Sequence, residues 1–166
     1  MKVVCVTGTP GTGKTTIARK LAGKCCFYYL DANRIISKNK LAESYDRKRR
    51  TNVVDIKRLN KHLIKEIKKI KLKKHKGIVI DSHLSHYLPR KYADIVIVAK
   101  CSIKELNKRL KRRKYSKNKI QENLQAEIFD ICYNEALERK HRIAVVDTTA
   151  YRTSKKTLDM IREMIN

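Results

Sequence analysis

The string Gly8-Thr9-Pro10-Gly11-Thr12-Gly13-Lys14-Thr15-Thr16 fills the pattern G-x-x-x-x-G-K-[ST] without a gap. Glycines permit positive φ and let backbone N–H groups curl around an anion, and a following helix turns its unpaired amides and positive dipole end toward the same charge. The chemistry is phosphate binding. Lys14 is expected to reach the β and γ phosphates of a nucleotide, Thr15 to offer its hydroxyl to Mg²⁺, and Thr16 to donate to the α phosphate. A glycine-rich turn that binds nothing is the alternative. The flanks argue against it, because residues 2–7 form a β-branched run that reads as a buried strand and residues 17–22 read as a helix opening.

Two further groups could complete a phosphoryl-transfer site. Asp81 closes the apolar run Gly77-Ile78-Val79-Ile80 and is followed by Ser82 and His83. In open parallel sheets ligands gather at the carboxyl ends of strands, and an aspartate there holds Mg²⁺ through water, since that cation needs a hard oxygen near the loop threonine. His83, two residues on, faces the same mouth and could orient water or a phosphate; the plain alternative is a hydrogen-bonded loop histidine. The stretch Arg109-Leu110-Lys111-Arg112-Arg113-Lys114-Tyr115 is the third group. Arg109 ends an amphipathic helix and residues 112–119 form a short polar break, which reads as a small lid whose arginines stabilise the charge of a migrating phosphoryl group. Otherwise it is one more patch of surface charge.

These residues need a scaffold, and the chain supplies one of alternating elements. Residues 27–30, 77–81, 94–99 and 143–147 read as strands after the first, with Asp31 as a cap for the segment behind 27–30. The longer runs are continuously apolar rather than alternating, so both faces of the sheet are covered, as in a parallel sheet flanked by helices. Ile56, Leu59, Leu63, Ile67 and Ile70 recur at helical spacing. So do Ile103, Leu106 and Leu110, behind Ser102-x-x-Glu105 as a capping box. A longer helix carrying Ile120, Leu124, Ile128 and Ile131 comes next, and Leu158, Ile161 and Ile165 mark a last one. The expected fold is α/β, a three-layer sandwich around a central parallel sheet of about five strands.

The 166 residues suffice for one domain, and 42% hydrophobic content supports a core despite the charge. No apolar run approaches the ~20 residues of a membrane span, and the chain opens on a strand, so a cytoplasmic protein without membrane contact is expected. Cys5, Cys25, Cys26, Cys101 and Cys132 form no C-x-x-C pair, and their odd number points to reduced thiols. Charge is the other unusual property: 41 Lys and Arg against 16 Asp and Glu give +25. Residues 57–76 and 100–119 each hold ten basic side chains and one acid, Glu66 and Glu105 respectively. Such a surface attracts polyanions, RNA first among them; solvated basic faces of a lysine-rich protein are the alternative.

With loop, aspartate and lid in this order, the chain resembles the nucleoside monophosphate kinases, and within them the adenylate kinase isoenzyme 6 family. The resemblance spans nearly the whole chain. It rests on Gly8 to Thr16, on Asp81-Ser82-His83 in place of the family's D-x-H, on Arg109-Leu110-x-x-Arg113-x-Tyr115, and on Asn123-Leu124-Gln125-Ala126-Glu127-Ile128. It implies a single P-loop kinase domain over residues 1–166, with a monophosphate-binding insertion at about 31–54 and a lid at about 112–122. It also implies that Gly11, Gly13, Lys14, Thr15 and Thr16 bind ATP, that Arg113 is the lid arginine on its phosphates, and that Asp81 and His83 form a Walker B-like motif. Lys114 stands where the family usually has glycine. No motif chooses among Arg34, Arg47, Arg49 and Arg50 for the acceptor phosphate. For function the resemblance implies adenylate kinase activity on AMP with Mg²⁺-ATP, an accompanying ATPase, and a role in small ribosomal subunit maturation beside a platform ribosomal protein and pre-ribosomal RNA. Two other readings stay open: an ATP-switched RNA or ribosomal-protein assembly chaperone, and a small-metabolite kinase.

Overall fold

The computed structural model describes residues 1–46, 51–150 and 155–165. In chain order the elements begin with β1 (Lys2–Thr7), α1 (Lys14–Cys25), β2 (Tyr28–Asp31), α2 (Ala32–Lys38), β3 (Ala42–Asp46), β4 (Thr51–Val54) and α3 (Ile56–Leu72). They continue with β5 (Gly77–Asp81), β6 (Ile95–Lys100), α4 (Ile103–Arg112), α5 (Lys117–Ile128), α6 (Ile131–Glu138), β7 (Ile143–Asp147) and α7 (Lys155–Ile165).

β1 is the centre of a five-stranded sheet ordered β2-β5-β1-β6-β7, with every pairing parallel. Side chains alternate across it. Val3, Cys5, Ile78, Ile80, Val96 and Val98 pack with Leu59, Leu63, Ile67 and Ile70 of α3 and with α2. Val4, Val6, Ile95, Ile97 and Val146 pack with Ile17, Ala18 and Leu21 of α1 and Ile161 and Ile165 of α7. Three layers result, as the unbroken apolar runs require. Because β5 and β6 lie on either side of β1, the chain crosses over β1 between them, and the sheet opens at its carboxyl end beside the glycine-rich loop. All five cysteines are free thiols. No helix among the described residues is long and apolar enough to cross a membrane.

Local differences from the sequence pattern have local causes. β2 starts one residue late because Phe27 leaves the strand register to cover Gly77, where a Cβ would stand 2.6 Å from its ring. Asp31 then ends β2 and caps α2, its carboxylate accepting from Asn33 N–H at 2.9 Å. Ser102 caps α4 through Glu105 N–H as expected, but the reciprocal half of the box is missing: the Glu105 carboxylate accepts from Arg109 Nε at 2.9 Å instead. The long helix expected across residues 120–131 is two, α5 and α6, broken at Asp130, whose φ of 51° is left-handed and whose carboxylate pairs with Lys100. Apolar spacing continues across the break, so periodicity alone does not mark it. A short antiparallel hairpin, β3 with β4, has no signature in the polar sequence Ala42-Glu43-Ser44-Tyr45-Asp46.

At the end of α4, Lys114 adopts φ 55°, with its N–H and that of Tyr115 donating to Lys111 and Leu110 carbonyls. This is the helix-closing position that favours glycine. Lys114→Gly is expected to stabilise the protein by about 0.5–1 kcal/mol, the left-handed strain of lysine being offset in part by glycine's unfolded-state freedom. A thermal melt should rise by about 1–4 °C. An unchanged or lower midpoint would contradict it.

Candidate functional site

The loop between β1 and α1 takes its shape from glycine. Gly8 has φ 135°, and a Cβ there would stand 2.3 Å from the Ala99 carbonyl oxygen of β6. Gly11 has φ 101°, and a Cβ would meet Leu106 and Leu110 of α4 at 2.9 and 3.0 Å. The loop is therefore pressed onto β6 on one side and onto α4 on the other. α1 begins at Lys14 with no side chain capping it and no acid in its first turn. Its leading amides and dipole are left to an anion from outside the helix. Thr15 and Thr16 are exposed at this end.

Lys14 folds back over the loop, its Nζ donating to the Thr9 carbonyl at 3.0 Å. Its pKa is pushed down to about 8, chiefly by burial and also by Arg113, against the pull of Asp81 and Glu127. Asp81 ends β5 in register with Val6 and Asp31 and is 3% exposed. Its Oδ2 accepts from the Tyr29 hydroxyl at 2.9 Å. Tyr29 has its own pKa raised to about 12 by burial and by that hydrogen bond, so it remains a donor at any working pH. In the sequence Tyr29 looks like one more residue of a strand; only the pairing of β2 with β5 places it beside Asp81.

His83 keeps exposed surface, yet protein on its other sides strips enough water from the ring to push its pKa down to about 4, with Lys14, His86 and Lys119 adding positive charge. The ring is thus a neutral imidazole, able to orient water by hydrogen bonding but carrying no charge for a phosphate. His86 turns away from the mouth. Its Nδ1 lies 2.7 Å from Thr7 Oγ1 and its Nε2 2.8 Å from Glu135 Oε2, which makes it part of the framework beneath the loop.

Arg113 is the residue after α4 and is exposed. With Arg109, Arg112, Gly11, Gly13 and Thr148 it lines a cavity of about 520 Å³ beside the loop. Arg109 is tied down, donating through Nη2 to the Thr148 carbonyl at 2.6 Å and through Nε to Glu105. Asp81 and His83 are not in that lining. The loop thus has two sides: a wide arginine-edged cavity at Gly11 and Gly13, and the Lys14, Asp81 and His83 group at the strand ends. Arg34 is exposed on α2, while Arg47, Arg49 and Arg50 lie outside the described residues. Among the described residues no cluster of three or more His, Cys, Asp or Glu could cage a metal. The Thr15 hydroxyl and the Asp81 carboxylate are two hard oxygens, which suits Mg²⁺ arriving with a nucleotide whose phosphates and water complete its shell.

Comparison with known proteins bears on the family and on the fold. The AAA domain family model matches residues 4–130. A Pyrococcus furiosus protein named "Putative adenylate kinase" is 38% identical over 164 residues, 99% of this chain and 84% of its own. The adenylate kinase isoenzyme 6 homolog of Caenorhabditis elegans is 33% identical over 135 residues, 81% of this chain and 72% of its own. Among solved structures, a sugar kinase from Janibacter superposes with TM-score 0.68 at 19% identity, covering 99% of this chain and 94% of that one. Deoxyadenosine kinase from M. mycoides gives 0.57 at 17%, covering 98% of each. The structural likenesses show the fold, and the sequence relatives show the family: this chain belongs to the adenylate kinase isoenzyme 6 family of P-loop kinases.

Proposed function

We propose that this protein moves the γ-phosphate of Mg²⁺-ATP in line onto AMP, and onto water when no acceptor is bound. The observation that carries the reading is the set of Lys14, Thr15, Asp81 and His83 around a loop whose helix amides are open, with Arg113 at the edge of the adjoining cavity. Lys14 and Arg113 neutralise charge as it develops on the transferring group. Thr15 directly, and Asp81 through water, hold the metal. Mg²⁺, when bound with the nucleotide, would supply positive charge to offset that of the phosphates. His83, neutral, orients the attacking water or the attacking phosphate oxygen of AMP. The turn between α4 and α5 acts as the lid and residues 31–54 as the acceptor insertion. AMP as acceptor is supported by the relatives named adenylate kinases. The deciding measurement is product analysis from ATP with and without each monophosphate. ADP formed in step with AMP consumption supports the kinase, and turnover indifferent to every monophosphate points to an ATP-driven switch.

A place in small ribosomal subunit maturation belongs to the same proposal, and the outer face of α3 supports an RNA partner. Lys57, Arg58, Lys61, Lys65, Lys68 and Lys69 are exposed there, with Glu66 the one acid and 4.0 Å from Lys69. Like charges at i,i+4, and cations in the first turn against the dipole, weaken an isolated helix, so the pattern runs against helix stability and toward an external polyanion. Along a helix, side chains four apart rise ~6 Å, close to the spacing of successive phosphates. Binding of ribosomal RNA should weaken steeply with salt, and Lys61→Glu with Lys65→Glu should weaken it at least about tenfold at fixed salt. A flat salt response would return these lysines to solvated surface.

A further inference from the structure

The motif Asn123-Leu124-Gln125-Ala126-Glu127-Ile128 has so far no task, and Glu127 supplies one. It lies in α5, the helix that leads out of the lid turn, and is 7% exposed, an unusual place for a carboxylate. Its two oxygens are shared between two elements. Oε2 accepts from Thr9 Oγ1 at 2.5 Å, and Oε1 accepts from the Cys101 N–H, just past β6, at 3.1 Å. Thr9 is itself 2% exposed. Its carbonyl receives three donors: Lys14 Nζ at 3.0 Å, Thr12 Oγ1 at 2.9 Å and Thr12 N–H at 3.1 Å.

We infer that Glu127 is a positioning residue for Lys14, fixing the Thr9 peptide through its side chain so that the Thr9 carbonyl holds the lysine over the loop. The step is one of geometry. The Thr9 hydroxyl anchors the residue whose carbonyl orients Lys14, and the anchor belongs to a lid helix rather than to the loop. α4 touches the same loop from the other side, through Leu106 and Leu110 against Gly11. Both helices flanking the lid turn therefore bear on the loop, one through van der Waals contact and one through a buried carboxylate. When a nucleotide takes Lys14 from the Thr9 carbonyl, Glu127 keeps the peptide from following, so the loop remains preformed for the phosphates. A preformed loop saves the ordering cost that would otherwise reduce affinity. The network also explains why hydroxyls bracket Gly8, the hinge of the turn: Thr7 is held through His86 by Glu135 of α6, and Thr9 directly by Glu127 of α5.

This inference rests on the loop's being an ATP site, and the experiment separates the two. ATP binding is measured by calorimetry on the whole chain, with KM and kcat from coupled assays and melting temperatures alongside. Thr9→Val keeps the shape and removes the hydroxyl; Glu127→Ala removes the anchor. Each should raise the Kd and KM for ATP about tenfold with a smaller change in kcat, and the double variant should be no worse than the poorer single one. Thr9→Ser and Glu127→Gln should recover most of the affinity, since glutamine can accept from Cys101 N–H and donate to the Thr9 hydroxyl. If Glu127→Ala does not fold, Thr9→Val with its serine control decides. Lower melting temperatures with unchanged ATP affinity, or losses that multiply in the double variant, overturn the inference. A wild-type protein that binds no ATP overturns instead the reading of the loop.

Discussion

Lys14→Ala is expected to abolish both transfer to AMP and hydrolysis, lowering kcat/KM for ATP by about a thousandfold or more, on the order of 4 kcal/mol of transition-state stabilisation. The size follows from where the charge sits. Lys14 is largely enclosed and held by a single loop carbonyl, and in a site with little water a cation opposite developing negative charge is not replaceable by solvent. Burial has already lowered its pKa to about 8, which gives the prediction a second, independent part. Above that pH the empty site holds a neutral amine, while bound phosphates favour the ammonium. ATP binding should take up protons as pH rises through about 8, visible as a buffer-dependent heat, and affinity should fall over the same range. The stability sign is the opposite of that for a salt-bridged lysine. Between about 8 and the ordinary 10.5 the unfolded chain binds more protons than the folded one, so this group's contribution to stability grows as pH rises through that window. Lys14→Met, which keeps the stem, should lose activity and the proton uptake together. Full ADP formation by either variant would remove Lys14 from the mechanism and with it the assignment of the loop.

The residues of this site are legible in the sequence to unequal degrees, for physical reasons. Gly8 to Thr16 can be read directly because phosphate binding there is local: one turn and one helix start do the work, and their spacing in the chain is their spacing in space. Asp81 can be placed because a parallel strand delivers its last residue to the sheet's carboxyl end whatever its neighbours. The order of the apolar runs likewise foretells the three layers and the central sheet. Tyr29 and Glu127 cannot be read this way. Each acts through a partner 52 or 118 positions away, and nothing in Phe27-Tyr28-Tyr29-Leu30 or in α5 distinguishes the useful side chain from its neighbours until β2 lies on β5 and α5 lies on the loop. His83 is visible as a residue but not as a state, since its charge is decided by crowding and by Lys14 rather than by its own type. The break at Asp130 escapes for a related reason: the apolar spacing is continuous, and the left-handed turn is supported by Lys100, thirty residues back along the chain.

Asp81→Asn is expected to lower kcat about a hundredfold while leaving the fold intact, and the contrast with Tyr29→Phe tests what the carboxylate is for. Asparagine keeps an oxygen that can accept from the Tyr29 hydroxyl, so the end of β5 and its pairing with β2 should survive. What it lacks is the charge that, in the proposed mechanism, would draw a hydrated Mg²⁺ toward Thr15. The defect should therefore be largest at low Mg²⁺ and shrink as Mg²⁺ is raised, because a weakened site fills by mass action. Tyr29→Phe makes the complementary change. It leaves the charge and removes one donor to Oδ2, so the carboxylate is free to turn, and a loss of only about three- to tenfold in kcat is expected with little change in Mg²⁺ dependence. Hydrolysis and transfer to AMP should fall together in Asp81→Asn, since in the proposed mechanism the metal would serve the donor phosphates rather than the acceptor. If Asp81→Asn kept full activity at low Mg²⁺, Asp81 would be no more than the acceptor that ties β2 to β5, and the metal would have to be held by Thr15 and the nucleotide alone.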